Sequence, residues 1–365
     1  MADVRTTVKV EAREVAEASG AFWSRSFDPA RYAFGPADKL DAELAPLPYT
    51  DRQPIAGLRD RSLDDVVSAA GALIAKAPQP DVDGAAVLLV QYLRLDPRNA
   101  GAMLAQLRRG DLAEGTRAGL LLGLQLAGGR EAHEALRQAA RDPLLTAADR
   151  LRAVSAISEV PDPDAATVDA LLALRREGEA AQAARLGLGA LARSPRLDAA
   201  EKQRVLATLT DDLTHPGDAA ARRVALLAAG NAANPALGDA VAAFTRDPDP
   251  EVQAEAYAAL TKMNALPPPA ALLDALAKAE APRLRSALGD ALLGKPLGAA
   301  EIDRCAALLK TQPPPDTRAI LIDLLGAAAG ESAPAKAALR QQLRLEKERA
   351  LLTLLGRYLK PEDLL

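Results

Sequence analysis

Nine apolar phrases, each separated from the next by roughly 30 to 38 residues, run through the chain from Gly84 onward. They begin at Gly84, Arg117, Arg152, Arg185, Arg223, Gln253, Arg285, Arg318 and Arg349, and continue as runs such as AGLLLGLQL, VALLAAG and AILIDLLG. That interval is the length of one antiparallel helix pair. A lone pair cannot cover its own apolar face, so the pairs must stack in a row and share a continuous core. The expected fold is all-α: a right-handed α-solenoid of about nine antiparallel helix pairs with a concave inner surface.

Residues 222–260 show the unit most clearly. Apolar positions recur at three- and four-residue steps through Val224, Leu227 and Ala228, and then Gly230, Asn231, Asn234 and Pro235 interrupt them. Gly230 is expected to close one helix, with Asn234 and Pro235 opening the next over residues 236–244. Asp247-Pro248-Asp249-Pro250 ends that helix and supplies an N-cap and a first-turn proline for the one after it. Partner helices are expected at residues 132–141, 164–175, 199–212, 269–279 and 299–310, set apart by proline-rich breaks such as Pro267-Pro268-Pro269 and Pro313-Pro314-Pro315.

Composition agrees with close helix packing: apolar residues make up 49% of the chain but aromatics only 3%, so Ala and Leu carry the core. A formal charge of −4, with acids and bases interspersed, gives no electrostatic footprint for nucleic acid or an anionic membrane. No apolar leader or membrane-length apolar stretch is present, which makes the chain as written cytoplasmic, or periplasmic or secreted if it is a piece of a longer precursor. The Ala- and Arg-rich composition suggests a GC-rich bacterial genome.

The first 60 residues differ from the rest. Val4, Thr6, Val8 and Val10 alternate with polar neighbours, as in one short strand or an extended arm. Phe22, Trp23, Phe27, Tyr32, Phe34 and Tyr49 follow, set among five prolines that forbid a long helix. The chain therefore divides into a Pro- and aromatic-rich arm or cap, 1–60, and a solenoid, 61–365. Phe22, Trp23, Phe27, Tyr32 and Phe34 are the candidate partner-binding residues, and packing along the first repeats is the competing role.

Catalytic chemistry has little to draw on. His133 and His215 are the only histidines and Cys305 the only cysteine, too few for a disulfide framework or a three-His metal site, and a Cys/His nucleophile pair is not economical to propose. His133-Glu134 lacks the second histidine of a zinc-protease helix, and His215 stands in a turn. Gly187-Leu188-Gly189 is better explained by close helix approach than by a dinucleotide loop. Asp64-Asp65 and Asp211-Asp212 fall at helix ends. No cofactor, catalytic residue or metal ligand is assigned.

The phrase Asp247-Pro248-Asp249-Pro250-Glu251-Val252, followed by Ala254, Ala256, Ala259 and Leu260, resembles the turn and second helix of HEAT-like repeats, with Gln253 where Arg is usual. The resemblance implies a structural ladder from Arg117, Arg152, Arg185, Arg223, Arg285 and Arg318, each bonding an Asp or carbonyl of a neighbouring repeat. Over residues 60 to 265, the order of a pair ending near Pro161, the run Leu186-Gly187-Leu188-Gly189-Ala190-Leu191-Ala192 and the run Ala228-Ala229-Gly230-Asn231-Ala232-Ala233-Asn234-Pro235 is similar to the helical domain of vitellogenin-like large lipid-transfer proteins. That likeness implies a helical horseshoe beside a lipid cavity. The expected function is a non-enzymatic scaffold that binds a protein partner through its concave surface, its arm or both. The alternative is a lipid-binding or lipid-transfer module.

Overall fold

The computed structural model describes residues 57–215 and 217–359. The alternating stretch from Val4 to Val10 and the aromatic positions Phe22, Trp23, Phe27, Tyr32 and Phe34 lie outside the described residues. Eighteen α-helices occupy the described residues, with no strand among them. They form nine successive pairs: α1 (Leu63–Ile74) with α2 (Val82–Leu95), α3 (Asn99–Leu107) with α4 (Glu114–Ala127), α5 (Gly129–Ala139) with α6 (Ala147–Ser158), and α7 (Ala165–Leu174) with α8 (Ala180–Ala192). Then come α9 (Ala199–Thr214) with α10 (Ala219–Ala232), α11 (Gly238–Ala242) with α12 (Pro250–Met263), and α13 (Pro269–Lys278) with α14 (Pro282–Leu292). The last two pairs are α15 (Ala299–Lys310) with α16 (Pro315–Ala328), and α17 (Ala333–Leu345) with α18 (Arg349–Tyr358). All nine anchor residues fall in the second helix of their pair. The fold is an α-solenoid.

Local chemistry sets the helix starts. Ser62 and Asp65 close a capping box on α1, and Asp81, Thr146, Asp164 and Asp218 each accept a first-turn amide of the helix they precede. Pro250, Pro269, Pro282 and Pro315 take the first helical position, where a missing N–H costs nothing.

The chain forms two compact units, divided between Ala207 and Thr208 within α9. In the first unit the second helices α2, α4, α6 and α8 pack in series, and α3, α5 and α7 form the outer row beside them. In the second unit α10, α12, α14, α16 and α18 repeat the pattern, with α13, α15 and α17 as the outer row. Leucines such as Leu89, Leu120, Leu124, Leu171 and Leu188, fully buried, fill the space between rows in the first unit, and Leu272, Leu288, Leu321 and Leu325 do so in the second.

Two local expectations need correction. Gly230 does not close a helix: α10 continues to Ala232, and Ala233 takes the left-handed conformation, with φ 47° and ψ 34°. Gly230 is small for another reason, since a Cβ there would lie 3.3 Å from both Cα and Cβ of Ala259 on α12. Residues 236–244 are not one helix but the 3-10 turn Pro235–Leu237, the short α11 and the 3-10 turn Ala243–Arg246. Prolines bounding both sides and Gly238 at the start of α11 leave too few residues to propagate a regular helix.

Candidate interaction surface

The arginine ladder exists, in a register the sequence phrases only partly gave. Its members occupy the fourth position of their second helices: Arg117, Arg150, Arg222, Gln253, Arg285 and Arg318. Each arginine reaches back to the carbonyl five residues earlier, as Arg150 does to Leu145 at 2.7 Å, Arg222 to Gly217 at 3.2 Å and Arg318 to Pro313 at 2.8 Å, with Arg117 and Arg285 bonding Leu112 and Glu280. Gln253 makes the equivalent bond to Asp247 at 2.5 Å. Each arginine also reaches forward to an acid: Arg117 to Asp149 at 2.8 Å, Arg150 to Glu179 at 3.8 Å, Arg222 to Asp247 at 2.9 Å, Arg285 to Asp316 at 2.6 Å and Arg318 to Glu346 at 2.9 Å. These guanidiniums splice consecutive pairs together.

Arg152, Arg185 and Arg223, expected on the ladder, stand two, two and one positions beyond it. Arg152 bonds Asp149 at 3.0 Å within its own helix and also meets Glu114. Arg223 has a buried Nε with no hydrogen-bond partner.

Arg223 belongs to a charged face on the second helices of the second unit. On α12 the positions Glu251, Glu255, Ala258 and Lys262 fall on one side, away from the core residues Val252, Ala256 and Leu260. Arg283 of α14 bonds Glu251 at 2.9 Å and Glu255 at 3.2 Å. Glu255 is 6% exposed, and this burial pushes its carboxyl above the usual range against the opposing pull of Arg283, Lys262 and Arg223. Three helices thus bring two acids and three bases to one patch.

The first unit carries a different face. On α2 and α4, Ala86, Val90 and Leu122 form an apolar cluster of their own, joined by the partly exposed Val82, Val87 and Leu126. Leu122 lies two residues from Leu120 and from Leu124, both fully buried, so it points away from the core between the rows.

The other singled-out residues have structural places. His133 is 3% exposed with an unpartnered Nε2, and burial holds its imidazole below the ordinary pKa, with Asp164 opposing and Arg137 reinforcing the shift. His215 is exposed, with Nδ1 3.0 Å from Asp211. Cys305 is fully buried, and burial pushes its thiol up to about 12. A Cβ on Gly187 would meet the Ser158 side chain, so the glycine is a close helix contact between α6 and α8. Asp65 completes the capping box at α1, and Asp211-Asp212 lie in the last turn of α9. A cleft of about 620 Å³ beside α5 and α7 holds Arg108, Arg137 and Arg141, already bonded to Asp142, Glu134 and Glu177. Among the described residues, no three His, Cys, Asp or Glu side chains group as a metal site, and no helix is long and apolar enough to cross a membrane.

No family model matches the chain, and no curated protein matches it. Among solved structures it is similar to one titled "Lipid-protein interactions in lipovitellin", with a TM-score of 0.50 and 18% sequence identity over 84% of this chain. The match spans 34% of that chain, about a third of its length. At this identity the likeness shows a shared helical fold.

Proposed function

We propose that the chain is a non-catalytic repeat scaffold of the HEAT-like kind whose second-helix face in the second unit binds a protein partner. The observation that carries this reading is the patch of Arg223, Glu251, Glu255, Lys262 and Arg283. It presents both signs of charge on three adjacent helices, with Arg283 and Glu251 exposed and Glu255 buried beneath them. The exposed Arg283 and Glu251 are open to a partner of complementary charge. The ladder arginines are engaged in splicing repeats, which leaves recognition to this second set.

The test is affinity capture on the intact chain, repeated with Arg223→Glu and Arg283→Glu. A partner held by the unaltered chain and released by both reversals supports the patch. A partner held equally by all three chains overturns it.

A lipid-binding or lipid-transfer module is the second reading. It is favoured by the likeness to a lipovitellin structure whose title concerns lipid–protein interactions, and by the apolar face on α2 and α4. Mass spectrometry of a lipid extract from the purified chain tests it, and absence of stoichiometric lipid removes it.

A further inference from the structure

We propose that a cavity of about 750 Å³, bounded by the loop after α14, the start of α15 and the end of α16, is a second docking site for a protein partner. It takes a short segment that carries an aliphatic side chain beside a basic one. The cavity is the place of a missing helical turn. With the ladder residue fourth in each, α10, α12 and α16 run for 14 residues, whereas α14 stops after 11. The three absent residues correspond to about 4.5 Å of helix. In their place Leu293 is extended, at φ −60° and ψ 134°, and Gly294 takes φ 77°, a left-handed conformation that turns the chain off the helical path. The last turn of α16 is left without a counterpart on α14.

One face of each of two helices lines the space. Ala299, Ile302 and Asp303 stand three and four residues apart on α15, and Leu324, Ala327 and Ala328 do so on α16. Ile302 and Leu324, both buried, form the floor and belong to the core of the second unit. Leu293 lines the cavity too and is 51% exposed, whereas the matching residue after α12 is the polar Asn264. Volume and an apolar floor mark a binding pocket, since voids left between packed core helices are rarely larger than a water molecule.

Charge selects the occupant. Lys295, Asp303 and Glu331 line the same cavity, and none of the three forms an ion pair among the described residues. Two uncompensated carboxylates against one ammonium favour a cationic side chain and oppose the head of a fatty acid. Lys295, partly buried, is left to donate to a backbone carbonyl of the same segment. The inference rests on the reading of the chain as a protein-binding scaffold and is independent of the charged patch on α10, α12 and α14.

The test is saturation-transfer NMR on the intact chain, with the blocked peptides KLLK and ELLE and with octanoate as probes. KLLK is expected to bind, and ELLE to bind about tenfold more weakly. Asp303→Asn combined with Glu331→Gln, both at exposed positions, should remove the preference between the peptides. Ala327→Phe, also at an exposed position, should fill the cavity and abolish transfer to KLLK with helical circular dichroism retained. Glu131→Gln, an exposed acid of the first unit, should change neither. Should Ala327→Phe fail to fold, the charge-neutralised variant decides alone. Absence of KLLK binding, equal binding of the two peptides to the native chain, or binding indifferent to the cavity variants overturns the docking site. Octanoate held more tightly than KLLK and lost with Ala327→Phe overturns it in favour of an acyl anion. A failed peptide test leaves the capture experiment on Arg223 and Arg283 standing, whereas a failed capture with KLLK still held in the cavity removes the patch and keeps the pocket.

Discussion

Arg318 grips Glu346 through two bonds, Nε to Oε2 at 2.9 Å and Nη2 to Oε1 at 3.0 Å, and so ties α16 to the turn that precedes α18. Burial alone would raise the Glu346 carboxyl. The bonds from Arg318, Gln342 and the amides of Lys347 and Glu348 outweigh it and hold the group at about 2. Removing the cation leaves a carboxylate whose side chain is 1% exposed, and Arg318→Ala is expected to cost about 3 kcal/mol. Because the folded value is depressed, the stabilisation is fully present above the ordinary 4.5 and is lost as pH falls towards 2. Denaturant melts of the native chain and Glu346→Gln should therefore differ most near neutrality and converge over that acid window.

Glu255 should show the opposite sign. Its folded carboxyl is raised, so the native state holds the proton more tightly than the unfolded chain and loses relative stability as pH rises through the interval above 4.5. Glu255→Gln lacks that titration. Its stability relative to the native chain should improve between pH 4.5 and 7, as measured by paired urea melts, and a deficit that widens instead would contradict the burial.

Gly187→Ala sets two effects against each other. Alanine favours a helix by about 1 kcal/mol over glycine. The added Cβ, however, would lie 3.0 Å from Ser158 Cβ and closer still to its Oγ, and such overpacking costs about 1–3 kcal/mol. A net loss of about 1 kcal/mol is expected. Ser158→Gly in the same chain should recover much of it, giving a coupling that chemical denaturation can read.

The sequence made the repeat legible because its signals are local and recur: α1 begins at Leu63 and α15 spans Ala299–Lys310, as the proline breaks and apolar spacing indicated. Register within the repeat was harder to read. Arg150 and Arg152 stand two residues apart, and Arg222 and Arg223 are adjacent; an apolar phrase cannot say which one faces the carbonyl five residues back. That choice depends on where the helix starts, which Thr146 and Asp218 fix by capping. Gly230 misled for a related reason, since a glycine demanded by a neighbouring backbone looks the same in sequence as one demanded by a turn. The charged patch was hidden because Arg223, Glu255 and Arg283 come from three helices, and each alone reads as a solvated surface charge.

The left-handed residue that ends α10 offers a stabilising change. Ala233 adopts φ 47°, where its Cβ crowds the following carbonyl and costs about 1–2 kcal/mol. The comparable position after α12 is Asn264 at φ 53°, a residue that tolerates this region better. Ala233→Gly relieves the crowding and loses part of the gain to a more flexible unfolded chain. It should still raise stability by about 0.5–1 kcal/mol, visible as a higher thermal midpoint.

Cys305 provides a reporter for opening of the second unit. It is fully buried on α15, and burial, with the nearby Glu301 charge adding to it, pushes the thiol up to about 12. At pH 8 the native chain should therefore contain almost no thiolate and present no path to it. An aromatic disulfide reagent is expected to label one thiol per chain quickly in denaturant but only very slowly under native conditions. If labelling requires cooperative unfolding, its rate should rise when Arg318→Ala weakens the same unit, and hardly change with Gly187→Ala in the other. Equal acceleration by both would mean that the two units open together, whereas rapid labelling of the unaltered chain would show that α15 is not packed as described.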